Sequence, residues 1–147
     1  MLADDLRDMA PRATEWIEMD AGRVSAFADA TADWQFIHLD EARAAAETPF
    51  GGCVAHGFLT LSMLSAMSND VMSGLSGITS RVNYGFDRIR FISPVRVGKR
   101  IRGRFTVASV DEGEGWLDVH WDVEVEIEGA ERPALAANWI TRLYLHQ

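Results

Sequence analysis

The pattern of apolar and polar positions divides the chain in two. In "WLDVHWDVEVEI", residues 116–127, Leu117, Val119, Trp121, Val123, Val125 and Ile127 fall on one face, with Asp118, His120, Asp122, Glu124 and Glu126 on the other. That alternation predicts a strand with one face in a core. Ile101, Gly103, Phe105 and Val107 alternate likewise, as do Leu135, Ala137, Trp139, Thr141, Leu143 and Leu145. The first half follows a helical period instead. After an N-terminal arm over 1–13, "ATEWIEMD" reads as a short strand. Asp20 can then N-cap a helix with the stripe Val24, Phe27, Ala28 and Thr31, and Asp40 can cap a second short helix through the alanines at 44–46. Pro49, Gly51 and Gly52 force a turn after it.

A third helix, from about His56 to Met72, has Phe58, Leu59, Leu61, Met63, Leu64, Ala66 and Met67 all around its axis. A helix apolar on every side must be covered on every side. It stops at "SGLSG". Helices first and about four antiparallel strands afterwards make an α+β pattern, one long helix held in a sheet. Neither a repeat nor a linker interrupts it, so 1–147 reads as one domain.

Composition narrows the function. The 147 residues are 48% hydrophobic, enough for a core, and the single cysteine, Cys53, excludes an intramolecular disulfide framework. That suits a reducing compartment, and the charged start "MLADDLRDMAPR" is no signal peptide, so a cytoplasmic protein is expected. "HGFLTLSMLSAMSNDVM" is too short and too polar for a membrane span. The net charge of −8 argues against a nucleic-acid binder. Its distribution is uneven: residues 81–104 hold eight basic side chains (Arg81, Arg88, Arg90, Arg96, Lys99, Arg100, Arg102, Arg104) against Asp87, a balance of +7, leaving −15 elsewhere. Such a run is either a solvated strand face or a receptor for a phosphorylated molecule or an acidic carrier.

"DWQFIHLD", residues 33–40, carries the candidate chemistry. In a helix, Asp33 and His38 would project about 140° apart. In a strand they would take opposite faces. They converge only if 33–38 is irregular backbone, as functional loops often are.

"ATADWQFIHLDEARAAA" followed by "GGCVAHGFLTLS" resembles the MaoC-like dehydratases, the (R)-specific enoyl-CoA hydratases of the hot-dog fold, and "YGFDRIRFISPVRVGKRIRG" resembles the family's next segment. The family pattern is Asp, a variable residue, Asn-Pro, an aliphatic residue and His, with a small residue six positions on. Here these are Asp33, Trp34, Gln35-Phe36, Ile37, His38 and Ala44, and the helix-opening His-Gly is His56-Gly57. Gln35-Phe36 in place of Asn-Pro is similar to the nodulation-protein-N-like branch. The resemblance covers nearly the whole chain from about residue 15. It implies a long central helix wrapped by an antiparallel sheet, a homodimer or higher homo-oligomer, and Asp33 and His38 as the catalytic pair. It places the thioester-binding N–H at Gly57 and the family's helix serine at Ser65, with Ser62 on the same face.

The chemistry suits these residue types. Hydrating a 2-enoyl thioester needs water activated at C3, a proton at C2, and a donor for the enolate oxygen. A carboxylate and an imidazole around one water can divide the proton work. An unpaired N–H at a helix N-terminus supplies the donor, and glycine lets substrate approach it. Trp34 is expected to border the acyl pocket, and Arg88 and Arg90 to meet the carrier's phosphates. His56 is expected to order the loop. Cys53 reads as a small buried hydrophobe, and Asp33, His38, Asp40 and His56 lack a metal-ligand spacing. The expected activity is (R)-specific enoyl-CoA hydration, or 3-hydroxyacyl-CoA dehydration in reverse, with coenzyme A part of the substrate and no cofactor or metal. The carrier is coenzyme A or acyl carrier protein. Alternatives are a hot-dog thioesterase and a non-catalytic acyl-thioester-binding subunit.

Overall fold

A computed structural model describes residues 1–147. The alternating segments become long antiparallel strands that build the sheet. The elements are α1 (Leu2–Arg7), β1 (Arg12–Ala13), β2 (Ile17–Glu18), α2 (Ala21–Thr31), α3 (Phe36–Leu39), α4 (Glu41–Glu47), α5 (Gly57–Val71), β3 (Ile78–Phe91), β4 (Arg100–Gly113), β5 (Trp116–Ile127) and β6 (Leu135–Leu145). The sheet runs β1-β4-β5-β6-β3, with β2 also paired to β4. All six apolar alternating positions of β5 are buried. They meet Leu59, Met63, Leu64, Met67 and Val71 of α5 in the core, so the long helix lies against the sheet's inner face. Asp118 breaks the outward pattern: it is buried beneath Arg142, whose guanidinium pairs with both carboxylate oxygens at 2.7 and 2.8 Å.

The capping expectations hold. Asp20 Oδ1 accepts from Arg23 N at 2.7 Å and Asp40 Oδ1 from Arg43 N at 3.1 Å, each satisfying a free donor at its helix start.

The N-terminal arm carries α1, which inserts Ala3 and Leu6 into the core, and Arg7 ties it to the Val110 carbonyl and Glu112. Two expectations need correction. "ATEWIEMD" is not one continuous strand: Ala13 ends β1 and Ile17–Glu18 form β2, both against β4, and between them the Glu15 N–H turns away to Asp70. Finally, α5 is not covered on all sides. Phe58, Ser62, Ser65 and Asn69 form an exposed stripe, with Phe58 68% exposed, facing the side on which β3 is the sheet's free edge.

Candidate active site

The irregular backbone required by Asp33 and His38 is present. α2 ends at Ala32 in a left-handed conformation (φ 58°, ψ 36°), and a single helical turn, α3, begins four residues later. Gln35-Phe36 opens that turn, with Gln35 as its N-cap. Asp33 Oδ1 accepts from Gln35 N at 3.4 Å, Gln35 O accepts from His38 N at 3.1 Å, and the Phe36 ring lies under the Arg43 guanidinium at 3.8 Å. The Asp33 carboxylate and one ring nitrogen each of His38 and His56 all lie within 4.8 Å of one another.

Both imidazoles are buried and stack at 3.7 Å between centroids, 23° between planes. His38 Nδ1 lies 2.6 Å from the Val54 carbonyl. A carbonyl only accepts, so Nδ1 carries the proton and Nε2 is the basic nitrogen of the neutral ring. By the same logic His56 Nε2–H donates to the Asp33 carbonyl at 3.0 Å, which fixes the loop as expected, while its Nδ1 is buried without a partner. Burial pushes the His38 pKa below its ordinary 6.5, and the neighbouring His56 adds to the shift; the Val54 bond and Asp33 oppose it.

Gly57 opens α5, and a cavity of about 310 Å³ lined by His38, Val54, Gly57, Thr60, Phe91 and Ser93 lies in front of it. His56, the N-cap, offers no side-chain cap, and the N–H groups of Gly57 and Phe58 bond to no protein acceptor. A Cβ on Gly57 would sit 3.1 Å from two carbons of the Phe91 ring. A bare helix N-terminus beside a neutral imidazole and a carboxylate can hold a developing oxyanion while protons move next to it.

Other expected site residues lie elsewhere. Ser65 is about 12 Å up the helix from Gly57 at 1.5 Å per residue. It lines a separate cleft of about 490 Å³ between α5 and the sheet. Ser62 donates to the Phe58 carbonyl at 2.7 Å, and within one chain neither serine lines the cavity at Gly57. Trp34 is turned outward, 58% exposed with Nε1 donating to Asp29 at 2.8 Å, and does not line the cavity. Arg88 and Arg90 line a groove of about 740 Å³ that shares Phe91 and Ile92 with the cavity at Gly57. Of the basic run, Arg100 pairs with Glu128, Arg102 and Arg104 with Glu126, Arg96 with Glu41, and Arg81 bonds Ser68 O and Asn69. Four of the eight basic side chains are thus paired with carboxylates, while Arg88 and Arg90 stay unpaired and are joined in the groove by Arg132, from outside the run. Cys53 is buried, and burial first, then Glu41, pushes its thiol pKa up, which disfavours a thiolate.

The fold is an α+β hot-dog domain in which the Asp33 carboxylate and the His38 and His56 imidazoles gather beside the start of the central helix. The chain belongs to the family of the MaoC like domain, whose model matches residues 4–128. It is 53% identical over 129 residues to nodulation protein N of Rhizobium leguminosarum bv. viciae, covering 87% of this chain and 80% of that one. To 3-hydroxyacyl-thioester dehydratase Z of Mycobacterium tuberculosis it is 38% identical over 130 residues, 88% of this chain and 85% of that one. The solved (R)-hydratase from A. caviae involved in PHA biosynthesis superposes with a TM-score of 0.73 at 23% identity, over 90% of this chain and 92% of that one. No helix is long and apolar enough to cross a membrane.

Proposed function

We propose that the protein adds water reversibly to trans-2-enoyl thioesters of coenzyme A, giving the (R)-3-hydroxyacyl thioester. The observation that supports it most is that His38, whose unprotonated nitrogen is Nε2, and the unpaired Gly57 N–H line one cavity, while the Asp33 carboxylate lies within 4.8 Å of a His38 ring nitrogen. In the hydration direction, His38 Nε2 takes a proton from water oriented by Asp33 as the oxygen bonds to C3. Electrons from the C2–C3 double bond shift onto the thioester oxygen, which the Gly57 N–H binds as an enolate. The imidazolium then returns its proton to C2 as the enolate collapses. Dehydration retraces these steps. The family's dehydratase relatives favour this chemistry, and Arg88, Arg90 and Arg132 beside the cavity are suited to the carrier's phosphates.

A second copy of the chain is proposed to close the cavity. β3 is a 14-residue edge strand with an unpaired side, and Phe58 and Phe91 stand exposed where the cavity opens. Light scattering on the purified protein should give twice the chain mass.

Incubation with crotonyl-CoA tests the reaction. Loss of the enoyl absorbance with the thioester intact is the expected result. Release of free thiol means a thioesterase, and binding without either change means a non-catalytic acyl-binding protein.

A further inference from the structure

The loop between α4 and α5 presents one main-chain oxygen to the reaction pocket, the Val54 carbonyl that holds the His38 proton on Nδ1. Val54 is bonded twice to the α3 turn, since its own N–H donates to the Ile37 carbonyl at 3.0 Å. Val54 is also bridged antiparallel to Arg96, with Ala55 N donating to the Val95 carbonyl at 2.8 Å and Val97 N to the Cys53 carbonyl at 3.0 Å, and on its far side two side chains add to these main-chain ties. Glu41, at the start of α4, accepts from Cys53 N at 2.8 Å through Oε2 and from Arg96 Nη2 at 3.1 Å through Oε1. Arg96 in turn donates from Nε to the Cys53 carbonyl at 3.3 Å and from Nη1 to the Phe50 carbonyl at 3.2 Å. The pair passes so close to the loop that a Cβ on Gly52 would lie 2.0 Å from Glu41 Oε1 and 2.4 Å from Arg96 Nη2. Gly52 has a φ of +155°, which favours glycine, and any other side chain would also push the pair aside.

As an exposed ion pair these two side chains would contribute little. Their bonds, however, are spent on the main chain of the residues leading into Val54. We propose that Glu41 and Arg96 form a clamp that sets which nitrogen of His38 carries the proton by holding the Val54 carbonyl in place, which makes them positioning residues of the active site. Its effect on turnover rests on the hydration reaction proposed above; its effect on the imidazole proton does not. A neutral imidazole free in water prefers its proton on Nε2, the tautomer that would leave no base facing the cavity. The clamp holds the opposite tautomer.

The test is ¹⁵N NMR of the His38 ring in the free protein, alongside kcat and KM for crotonyl-CoA. Wild type should show the proton on Nδ1. Glu41→Ala and Arg96→Met should each admit the Nε2–H form and lower kcat about 10- to 100-fold, the scale of a misplaced reacting group, with KM little changed. Glu41→Gln, which keeps an acceptor for Cys53 N–H, should restore the Nδ1–H form and most of the turnover. Arg96→Met retains the side-chain stem and carries the test if Glu41→Ala fails to fold. The clamp is refuted if folded Arg96→Met keeps the pure Nδ1–H tautomer. If the tautomer shifts but no variant, wild type included, hydrates crotonyl-CoA, the clamp stands and the reaction assignment falls.

Discussion

Replacing Gly57 by alanine should separate stability from catalysis in sign. Gly57 is the first residue of α5 and does not lie in the left-handed region, so alanine fits its backbone. Exchanging glycine for alanine in a helix gains up to about 1 kcal/mol. Against that stands the new Cβ, 3.1 Å from Phe91 Cδ1 and Cε1. Phe91 is 53% exposed and can swing outward by the few tenths of an ångström required, so the steric cost is small. Net stability should range from unchanged to about 1 kcal/mol higher, a melting temperature up to about 4 °C above wild type. Catalysis should move the other way. The methyl group and the displaced ring occupy the approach to the Gly57 N–H, and losing one oxyanion donor costs about 10²- to 10³-fold in kcat, or roughly 2.7–4 kcal/mol. Thermal denaturation followed by circular dichroism, with enoyl-CoA turnover on the same samples, measures both. Wild-type kcat in the alanine variant would refute the oxyanion role. A kcat lowered only in proportion to a falling melting temperature would show that Gly57 matters for packing alone.

Asp33→Asn and His38→Ala should each lower kcat about 10²-fold or more, as expected for losing a general acid or base, with folding little changed; near-wild-type turnover in either removes the pair from the mechanism. The acidic limb of kcat/KM should have its midpoint below the ordinary histidine value of 6.5, because burial holds His38 neutral, and in Asp33→Asn the residual limb should move lower still, since the carboxylate raises that pKa. The same shift predicts that His38 contributes stability above pH 6.5 that is lost as pH falls from 6.5 through its folded value, because the unfolded chain takes up the proton first; denaturation titrations across that window give the slope. Cys53→Ser should retain most activity, and loss of turnover in a folded variant would restore a role for the thiol. KM for crotonyl-CoA should rise with ionic strength and in Arg88→Gln, Arg90→Gln and Arg132→Gln at nearly constant kcat; a pantetheine thioester of the same acyl group with an equal salt response would exclude a phosphate contact.

What was legible in the sequence follows a physical rule. Contacts carried by side chains at short spacing could be read, and contacts carried by main chain or by distant partners could not. β5 announced its buried face through six alternating residues, and Asp20 and Asp40 announced two helix starts. That Asp33 and His38 could converge only on irregular backbone was legible from their spacing, while the convergence itself was not. By contrast, the group that sets the His38 tautomer is a main-chain carbonyl at Val54, and no residue type signals a carbonyl. Glu41 and Arg96 lie 55 positions apart and read separately as a helix-start acid and one arginine in a basic run. The His38–His56 stack needs two loops to meet. Arg132 was missed because proximity in sequence defined the basic cluster, whereas the groove gathers arginines across strands.

The one strand without a clean alternation also explains the one helix whose cover was misjudged. A strand alternates when one face is buried by its own chain, and β3 is exposed over most of both faces, including Val82, Tyr84 and Phe91. α5 is apolar around its axis, yet its Phe58 side meets no element of this chain that buries it. Each anomaly alone would be an ordinary exposed apolar residue. Together they lie along one border of the protein, between the central helix and the free edge of the sheet, with the reaction cavity opening at its Gly57 end. Full burial of a phenylalanine stabilises by about 1.5–3 kcal/mol, so Phe58 and Phe91 give this border a strong reason to be covered. The periodicity that failed as a description of one chain is therefore consistent with an assembly in which the second copy supplies the missing wall, and the same wall would exclude bulk water from the Asp33–His38 pair.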